Sequence, residues 1–361
     1  MSLGDRIRRA RVKAQKSKRE LAKLVGVSHT AISKYESDKD IPRQSVLLKI
    51  AETLGVTLGY FYQEDEIEVV LTGYRKSSKL TKTAQRAIEA EIHDALEKYL
   101  LVETLLERND YPQITPFTVR TMDEVEDAAD HFRSLFQTGY GAIENLTETL
   151  EENGVFVLGI EAPPGFDGYS CWANGTNPVV VSQLNVSGDR QRFNLAHELG
   201  HILLKIEGEL NEEHVAHRFA GAFLFPRKAV EKELGKKRRD LDLLELMFLK
   251  TKYKMSMQAI IRRARDLKII SNATYKKLVI QFSEQGWRKE EPGPRTEVER
   301  SYRFEILVHQ ALTEQLINPV RAAELLGGVP KRDRSQVTVA ESDLLWLAEQ
   351  YKTNPELNLE V

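Results

Sequence analysis

The sequence predicts a multidomain fold. It has an all-α head, an α+β middle with a small mixed sheet, and a helical C-terminal region. Three observations lead there. Residues up to about 62 read as four or five short helices with helix-start residues at their beginnings and no strand pattern. Three short apolar runs, Val155–Ile160, Tyr169–Trp172 and Pro178–Val181, have strand length and precede the helical run Arg192–Leu204. After Pro226 the pattern is again helical. A chain of 361 residues is long enough for two or three domains with a sizeable core. The expected boundaries are 1–65, 66–115, 116–230 and 231–361.

Composition narrows the class. Hydrophobic residues make up 41% and charged residues 29%, as in globular proteins. No run approaches the ~18 apolar residues of a membrane span. The start, Met1-Ser2-Leu3-Gly4-Asp5-Arg6, has no apolar secretory core. The only cysteine, Cys171, can form no internal disulfide, and a cytoplasmic location is expected. Beside apolar neighbours, Cys171 reads as a core residue sooner than as a redox sensor. Charge is uneven. Residues 1–60 hold 13 Lys and Arg against 6 Asp and Glu, a net of +7, which leaves −9 for the rest of a chain of net −2. A basic head on an acidic body expects only the head to meet a polyanion.

In the head, Leu3 to about Ala14 is an Arg-rich helix with Leu3, Ile7 and Ala10 on one face. Ser17 with Glu20 has capping-box spacing for a helix from Lys18 to Val25. Gly26-Val27 is a turn, and Ser28 caps a helix from His29 to about Ser37. Ser45–Leu54 closes at Gly55. Two helices joined by a short Gly turn form a helix-turn-helix, whose second helix enters the DNA major groove. The segment Glu20–Glu36 (ELAKLVGVSHTAISKYE), with Pro42 and Ile50–Val56, resembles the Cro/repressor (XRE) family over about 60 residues. Buried positions would be Leu21, Ala22, Val27, Ile32, Leu47, Ile50 and Leu54. Ser28, His29, Thr30, Ser33 and Lys34 would face DNA, the first few reaching base edges, while Lys34 and Arg43 meet phosphate. Lys18 stands where the family often has Gln, in a place that contacts the DNA backbone. The resemblance implies a homodimer on two half-sites of an operator.

Residues 63–78 are polar and irregular, and an amphipathic helix is expected from about Leu80 to Glu107. It either packs on the next domain or forms a dimer seam. In the middle, Met122–Leu135 reads as an acidic helix, Gly141–Asn153 as another, and Asn174-Gly175 as a hairpin turn.

Residues 197–201 read His-Glu-Leu-Gly-His, a HExxH set. On a helix, positions i and i+4 share a face, so both imidazoles reach one metal ion. Glu198 is then placed to take a proton from a water activated there, which is zinc-peptidase chemistry. Chance gives such a set roughly once in seventy chains of this composition. A second cluster, Glu213-His214-Val215-Ala216-His217, makes coincidence rarer still.

Here the chain resembles the ImmA/IrrE family of metallopeptidases. The matching residues are Leu150–Gly154, Pro178, Arg192–His201 and Glu213-x-x-Ala216-His217-x-Phe219-Ala220, ending near Leu224-Phe225-Pro226. The resemblance implies a zincin-like α+β domain, with His197, His201 and Glu213 as ligands and Glu198 as the catalytic carboxylate. Two His and a carboxylate leave one zinc position open, as catalysis requires. Such a site also accepts Mn2+ or Fe2+. Where the family usually has Asn or Asp, this chain has His217. It either steadies a ligand His or coordinates zinc itself and closes the site. Tyr169, Arg192 and His217 are candidates to stabilise an oxyanion. The strand at Val179–Ser182 is expected to pair with an extended substrate.

In the last third, Ser256 is an N-cap candidate and Asn272–Phe282 a helix, with Arg262, Arg263 and Arg265 as a basic group. This region is either a packing module of the peptidase domain or a second DNA site. Met255–Ala259, Arg263-Ala264, Tyr275 and Gly286-Trp287-Arg288 resemble the C-terminal extension of repressor–ImmA/IrrE fusions. Further helices are expected at Glu297–Leu316, Val320–Leu326 and Glu341–Tyr351, with a linker at Gly327–Thr338.

The expected function is a DNA-binding transcriptional regulator with a zinc metallopeptidase domain. It would cleave a repressor or partner regulator in stress response or mobile-element control. The alternatives are a repressor or antitoxin whose metal domain senses or binds a partner without turnover, and self-cleavage within 63–78.

Overall fold

The computed structural model describes residues 2–62, 70–72, 80–108, 111–162, 165–288 and 290–326. The polar connector at 63–69 and 73–79, the loop at 163–164, the linker at 327–338 and the helix expected at 341–351 lie outside them. The chain forms two compact units, Met1–Leu307 and Val308–Val361.

The head is five helices: α1 (Leu3–Lys13), α2 (Lys18–Val25), α3 (His29–Tyr35), α4 (Gln44–Leu54) and α5 (Leu58–Tyr62). Their ends follow local chemistry. Ser2 with Asp5 and Ser17 with Glu20 form capping boxes, and Ser28 accepts from the Ala31 amide. Gly26 takes a left-handed φ of 78°, which lets the chain turn from α2 into α3. Ile7, Leu21, Ala22, Ile32, Leu47, Ile50 and Leu54 are buried together. Val27 packs against them only partly buried.

After β1 (Leu71–Thr72) comes α6 (Lys82–Leu105), the expected long helix. Ile92 and Leu96 have no exposed surface in the single chain, so this face is already covered and is no open dimer seam. Arg6 and Arg9 of α1 reach Glu97 at 3.0 and 2.7 Å, and Arg9 and Lys13 reach Asp94 at 3.3 Å. Part of the head's basic surplus is therefore neutralised by α6. Further along, Tyr99 sits edge-on to Phe156 at 4.8 Å between centroids.

The α+β body runs β2 (Phe117–Val119), α7 (Met122–Leu135), α8 (Leu146–Glu152), β3 (Phe156–Ile160), β4 (Gly168–Ala173), β5 (Asn177–Gln183), α9 (Gly188–Leu203), β6 (Leu204–Ile206) and α10 (Glu212–Leu224). The main sheet has order β1-β4-β5-β3 and is mixed: β3 is parallel to β5, whereas β4 is antiparallel to β5 and β1. Asn174 and Gly175, both at positive φ, make the β4–β5 hairpin turn. A second sheet pairs β2 with β6 in parallel, and the sequence reading has neither strand. Helix α8 starts later than expected, because Asn145 caps it at Glu148. Cys171 is wholly buried, and burial pushes its thiol up to about 12, so it is a core residue.

The same core continues across residue 230 through α11 (Arg227–Leu234), α12 (Leu243–Tyr253), α13 (Met257–Asp266) and α14 (Asn272–Glu284). Arg263 lies inside it, with both guanidinium nitrogens 2.5 Å from Glu126, which Arg218 also contacts. Burial alone would raise the Glu126 carboxyl, but Arg263 and Arg218 hold it below its ordinary value. Arg263 therefore cannot serve a second DNA site.

Last come α15 (Arg303–Thr313) and α16 (Pro319–Leu325), the latter with Asn318 as cap and Pro319 in its first turn. The helix expected from Glu297 begins six residues later. Residues 296–299 instead strap the start of α9: Thr296 accepts from the Gly188 amide, and Glu299 exchanges backbone bonds with the Gln191 side chain. A Cβ at Gly188 would strike the Glu297 carbonyl, so the close approach requires glycine.

Candidate metal centre and DNA interface

The HExxH helix is α9, and its packing against α10 builds the site. Gly200 sits at the crossing. A Cβ there would lie 3.1 Å from the Phe219 ring and 3.3 Å from the Ala216 Cα, so the missing side chain lets α10 approach closely. Asn211 caps α10 by accepting from the His214 amide, and Gly208 at φ 98° permits the preceding turn. Together these place Glu213, in the first turn of α10, opposite the two histidines.

His197 Nε2 and His201 Nε2 are 3.0 Å apart. The Glu213 carboxylate lies 3.4 Å from the first and 3.7 Å from the second. Donors 2.0–2.1 Å from a tetrahedral zinc are ~3.3 Å from one another, and the two imidazole nitrogens and the Glu213 carboxylate, one oxygen toward each histidine, stand close to that spacing. The donor set, two imidazoles and a carboxylate, fits zinc.

Glu198 lies beside this face. Its Oε2 accepts a 2.8 Å hydrogen bond from Ser170 Oγ on β4. Gly168, two residues earlier on the same strand face, lets β4 press against Glu198: a Cβ there would be 2.7 Å from Glu198 Cγ. The sequence reading has neither residue in the site. The available signal was two small residues at period-two spacing on a strand next to the motif.

His217 is close by. Its ring is 4.5 Å from that of His197 and 5.6 Å from Phe193, and its donor atom lies within 4.8 Å of those of His197 and Glu213. Burial, then the charge of His197, pushes its imidazole down to about 4. Of the other two oxyanion candidates, Arg192 is buried and held by Glu299 and the Ile143 carbonyl. Tyr169 points to the opposite face of β4 from Ser170. Glu212 and His214 are exposed, as expected.

Strand β5 cannot take an extended substrate at 179–182, because it lies between β4 and β3. Strand β4 has a different surrounding. β5 covers one edge, and β1 reaches only Trp172 and Ala173 on the other, among the described residues.

In the head, His29, Thr30, Lys34 and Arg43 are exposed on or next to α3 and α4. Ser28 is spent on its cap. Lys18 and Ser33 bond each other at 3.2 Å, and Lys18 also lies 3.3 Å from the buried Glu36. These last three expected DNA contacts are thus partly committed within the head.

A helix-turn-helix family model matches residues 7–61, and a model described as an IrrE N-terminal-like domain, of the M78 peptidases, matches residues 151–265. The HTH-type transcriptional regulator ImmR of Bacillus subtilis is 32% identical over 110 residues, 30% of this chain and 77% of that protein. The chain is a helix-turn-helix transcriptional regulator carrying an IrrE-like metallopeptidase-family domain. The regulator is also similar to the cryptic phage CTXphi transcriptional repressor RstR of Vibrio cholerae, at 26% over 102 residues, 27% of this chain and 91% of that one. With the regulator PuuR of Escherichia coli it shares 38% identity over 72 residues, 19% of this chain and 39% of that protein. The IrrE-like match covers the HExxH helix and α10 and runs on into α13. The helix-turn-helix makes the regulator a DNA-binding protein, and the IrrE-like domain implies a metal. Among the described residues no helix is long and apolar enough to cross a membrane.

Proposed function

We propose that the regulator is a zinc-dependent endopeptidase that cleaves a repressor or partner regulator, in stress response or mobile-element control. His197, His201 and Glu213 hold the metal, and Glu198 is the catalytic carboxylate. The observation that carries this reading is the tetrahedral spacing of the three donors beside a Glu198 fixed by Ser170. A purely structural zinc site has no use for the fourth residue.

When bound, zinc activates a water and polarises the scissile carbonyl. The protein does the rest. The Glu198 carboxylate accepts the proton of the attacking water and returns it to the leaving amine nitrogen. Ser170 keeps that carboxylate in one orientation through the cycle. An extended peptide pairs with β4 along 168–171, next to Glu198. The head binds operator DNA through His29 and Thr30 at base edges and Lys34 and Arg43 at phosphate, as a homodimer that sedimentation would reveal. We take 1–65 as the head, 66–115 as connector, 116–230 as the peptidase domain and 231–361 as its helical extension.

The second reading is a repressor or antitoxin whose metal site senses or binds a partner. The position of His217 favours it, because a third imidazole would fill the open corner. Cells carrying wild type or Glu198→Gln, mapped for new protein N-termini before and after DNA damage, separate the two. A Glu198-dependent cut in a regulatory protein supports the peptidase. Identical N-termini, with operator binding intact, support the second reading.

A further inference from the structure

Beside the metal centre lies a cleft of about 820 Å3. Phe193, Asn194 and His217 line it, and the first two stand one turn before His197 on its own helix face, so cleft and metal site adjoin. Its far wall comes from α13 and the segment after α14, which carry Arg262, Arg288 and Arg295.

Most arginines of the body are ion-paired, although Arg133 binds only backbone carbonyls, and Arg239 and Arg300 meet no carboxylate among the described residues. Arg192, Arg218, Arg238, Arg263 and Arg265 each meet a carboxylate. Arg262, Arg288 and Arg295 meet none among the described residues. The wall is nevertheless built. The buried Glu291 accepts from the Met257 and Gln258 amides at 2.8 and 3.0 Å and pairs with Lys250 at 3.2 Å. It pins residues 290–295 to the start of α13. Asp189 and Glu290 also line the cleft, but neither is ion-paired with Arg262, Arg288 or Arg295, and Glu291 is taken by Lys250, so the concavity keeps an excess of guanidinium groups suited to carboxylates from outside.

We propose that this cleft receives an acidic stretch of the peptide substrate, and that Arg262, Arg288 and Arg295 set this preference by binding its carboxylates. The proposal rests on the peptidase reading and names its substrate class. Nucleic acid fits less well, because the groups line a concavity continuous with the metal centre and do not form a projecting helix.

The probes are a fluorescein-labelled decapeptide of alternating glutamate and alanine, its glutamine counterpart, and a labelled 20-base-pair duplex. Each is titrated by anisotropy into full-length Glu198→Gln protein, which excludes turnover. The same protein with Arg262→Gln, Arg288→Gln and Arg295→Gln is compared. The glutamate peptide should bind more tightly than the glutamine peptide, and the triple variant should weaken it by about tenfold or more. Equal binding of the two peptides overturns the proposal, as does glutamate-peptide binding that ignores the arginines. Loss of duplex binding alone in the triple variant assigns the cleft to nucleic acid and also overturns it. Arg288→Gln and Arg295→Gln alone, both at exposed positions, guard against misfolding, with each variant's melting curve as control. Because the readout is binding, it stands or falls apart from cleavage: a protein that cuts no substrate can still select the acidic peptide.

Discussion

Ser170 on β4 donates a 2.8 Å hydrogen bond to the Glu198 carboxylate on α9, and so ties the sheet to the motif's only acid. The bond explains why β4 carries small residues here. Anything larger than glycine at 168 would push Glu198 away. Ser170→Ala should keep its zinc and lose cleavage rate by about 10- to 100-fold, the usual effect of removing a partner that orients a reacting group. Steady-state rates on a cleaved substrate, with zinc content measured in parallel, check this. An unchanged rate would remove Ser170 from the account.

In the proposed site Glu213 is the third ligand and His217 a neighbour that could only close the fourth corner, and their geometry ranks them. The Glu213 carboxylate approaches both Nε2 atoms, whereas the His217 ring lies tilted by 54° against that of His197 alone. Glu213→Ala should therefore lose zinc to a chromophoric chelator that His217→Ala withstands. The reverse order would make His217 the ligand.

Glu151 gives a pH dependence of stability. Burial, against a hydrogen bond from Ser301, pushes its carboxyl up to about 7 from the ordinary 4.5. A carboxyl raised in the folded state keeps its proton while the unfolded chain has lost it. Stability contributed here therefore falls as pH rises from about 4.5 to about 7. Glu151→Gln keeps an acceptor for Ser301 without the charge. It should melt at a higher temperature than wild type at pH 8, and the two should converge near pH 4. Parallel melting curves at the two pH values test the sign.

Lys34 and Arg43 are the exposed cations expected at phosphate, while Lys18 is engaged by Ser33 and Glu36. Lys34→Ala and Arg43→Ala should each weaken operator binding and reduce its salt dependence by about one unit of slope. Lys18→Ala should chiefly lower the melting temperature of the head. Binding measured across a salt series separates these cases.

Much of this was legible from residue types at fixed spacing. Ser17 with Glu20, Gly26 and Ser28 define the head's helices locally, and the HExxH pair is a helix-face pattern. What stayed hidden depends on tertiary contact. Strands β2 and β6 have three residues each and exist because they pair with one another. Residues 297–299 read as helix, but the bonds that 296 and 299 make to Gly188 and Gln191 hold them in an irregular strap. Arg192 looked available for catalysis, yet Glu299, more than a hundred positions away, claims it. The central place of β5, which bars it from substrate, follows from strand order and not from composition.

The proposed reaction has Glu198 moving protons at a metal held by other residues, although its carboxylate also lies within 4.8 Å of the His197 and His201 donors. Wild type and Glu198→Gln, each loaded with zinc and assayed side by side on a regulator cut in cells, test it most directly. Equal zinc content and cleavage by wild type alone are expected. Equal cleavage by both proteins, or loss of zinc from Glu198→Gln, would contradict it.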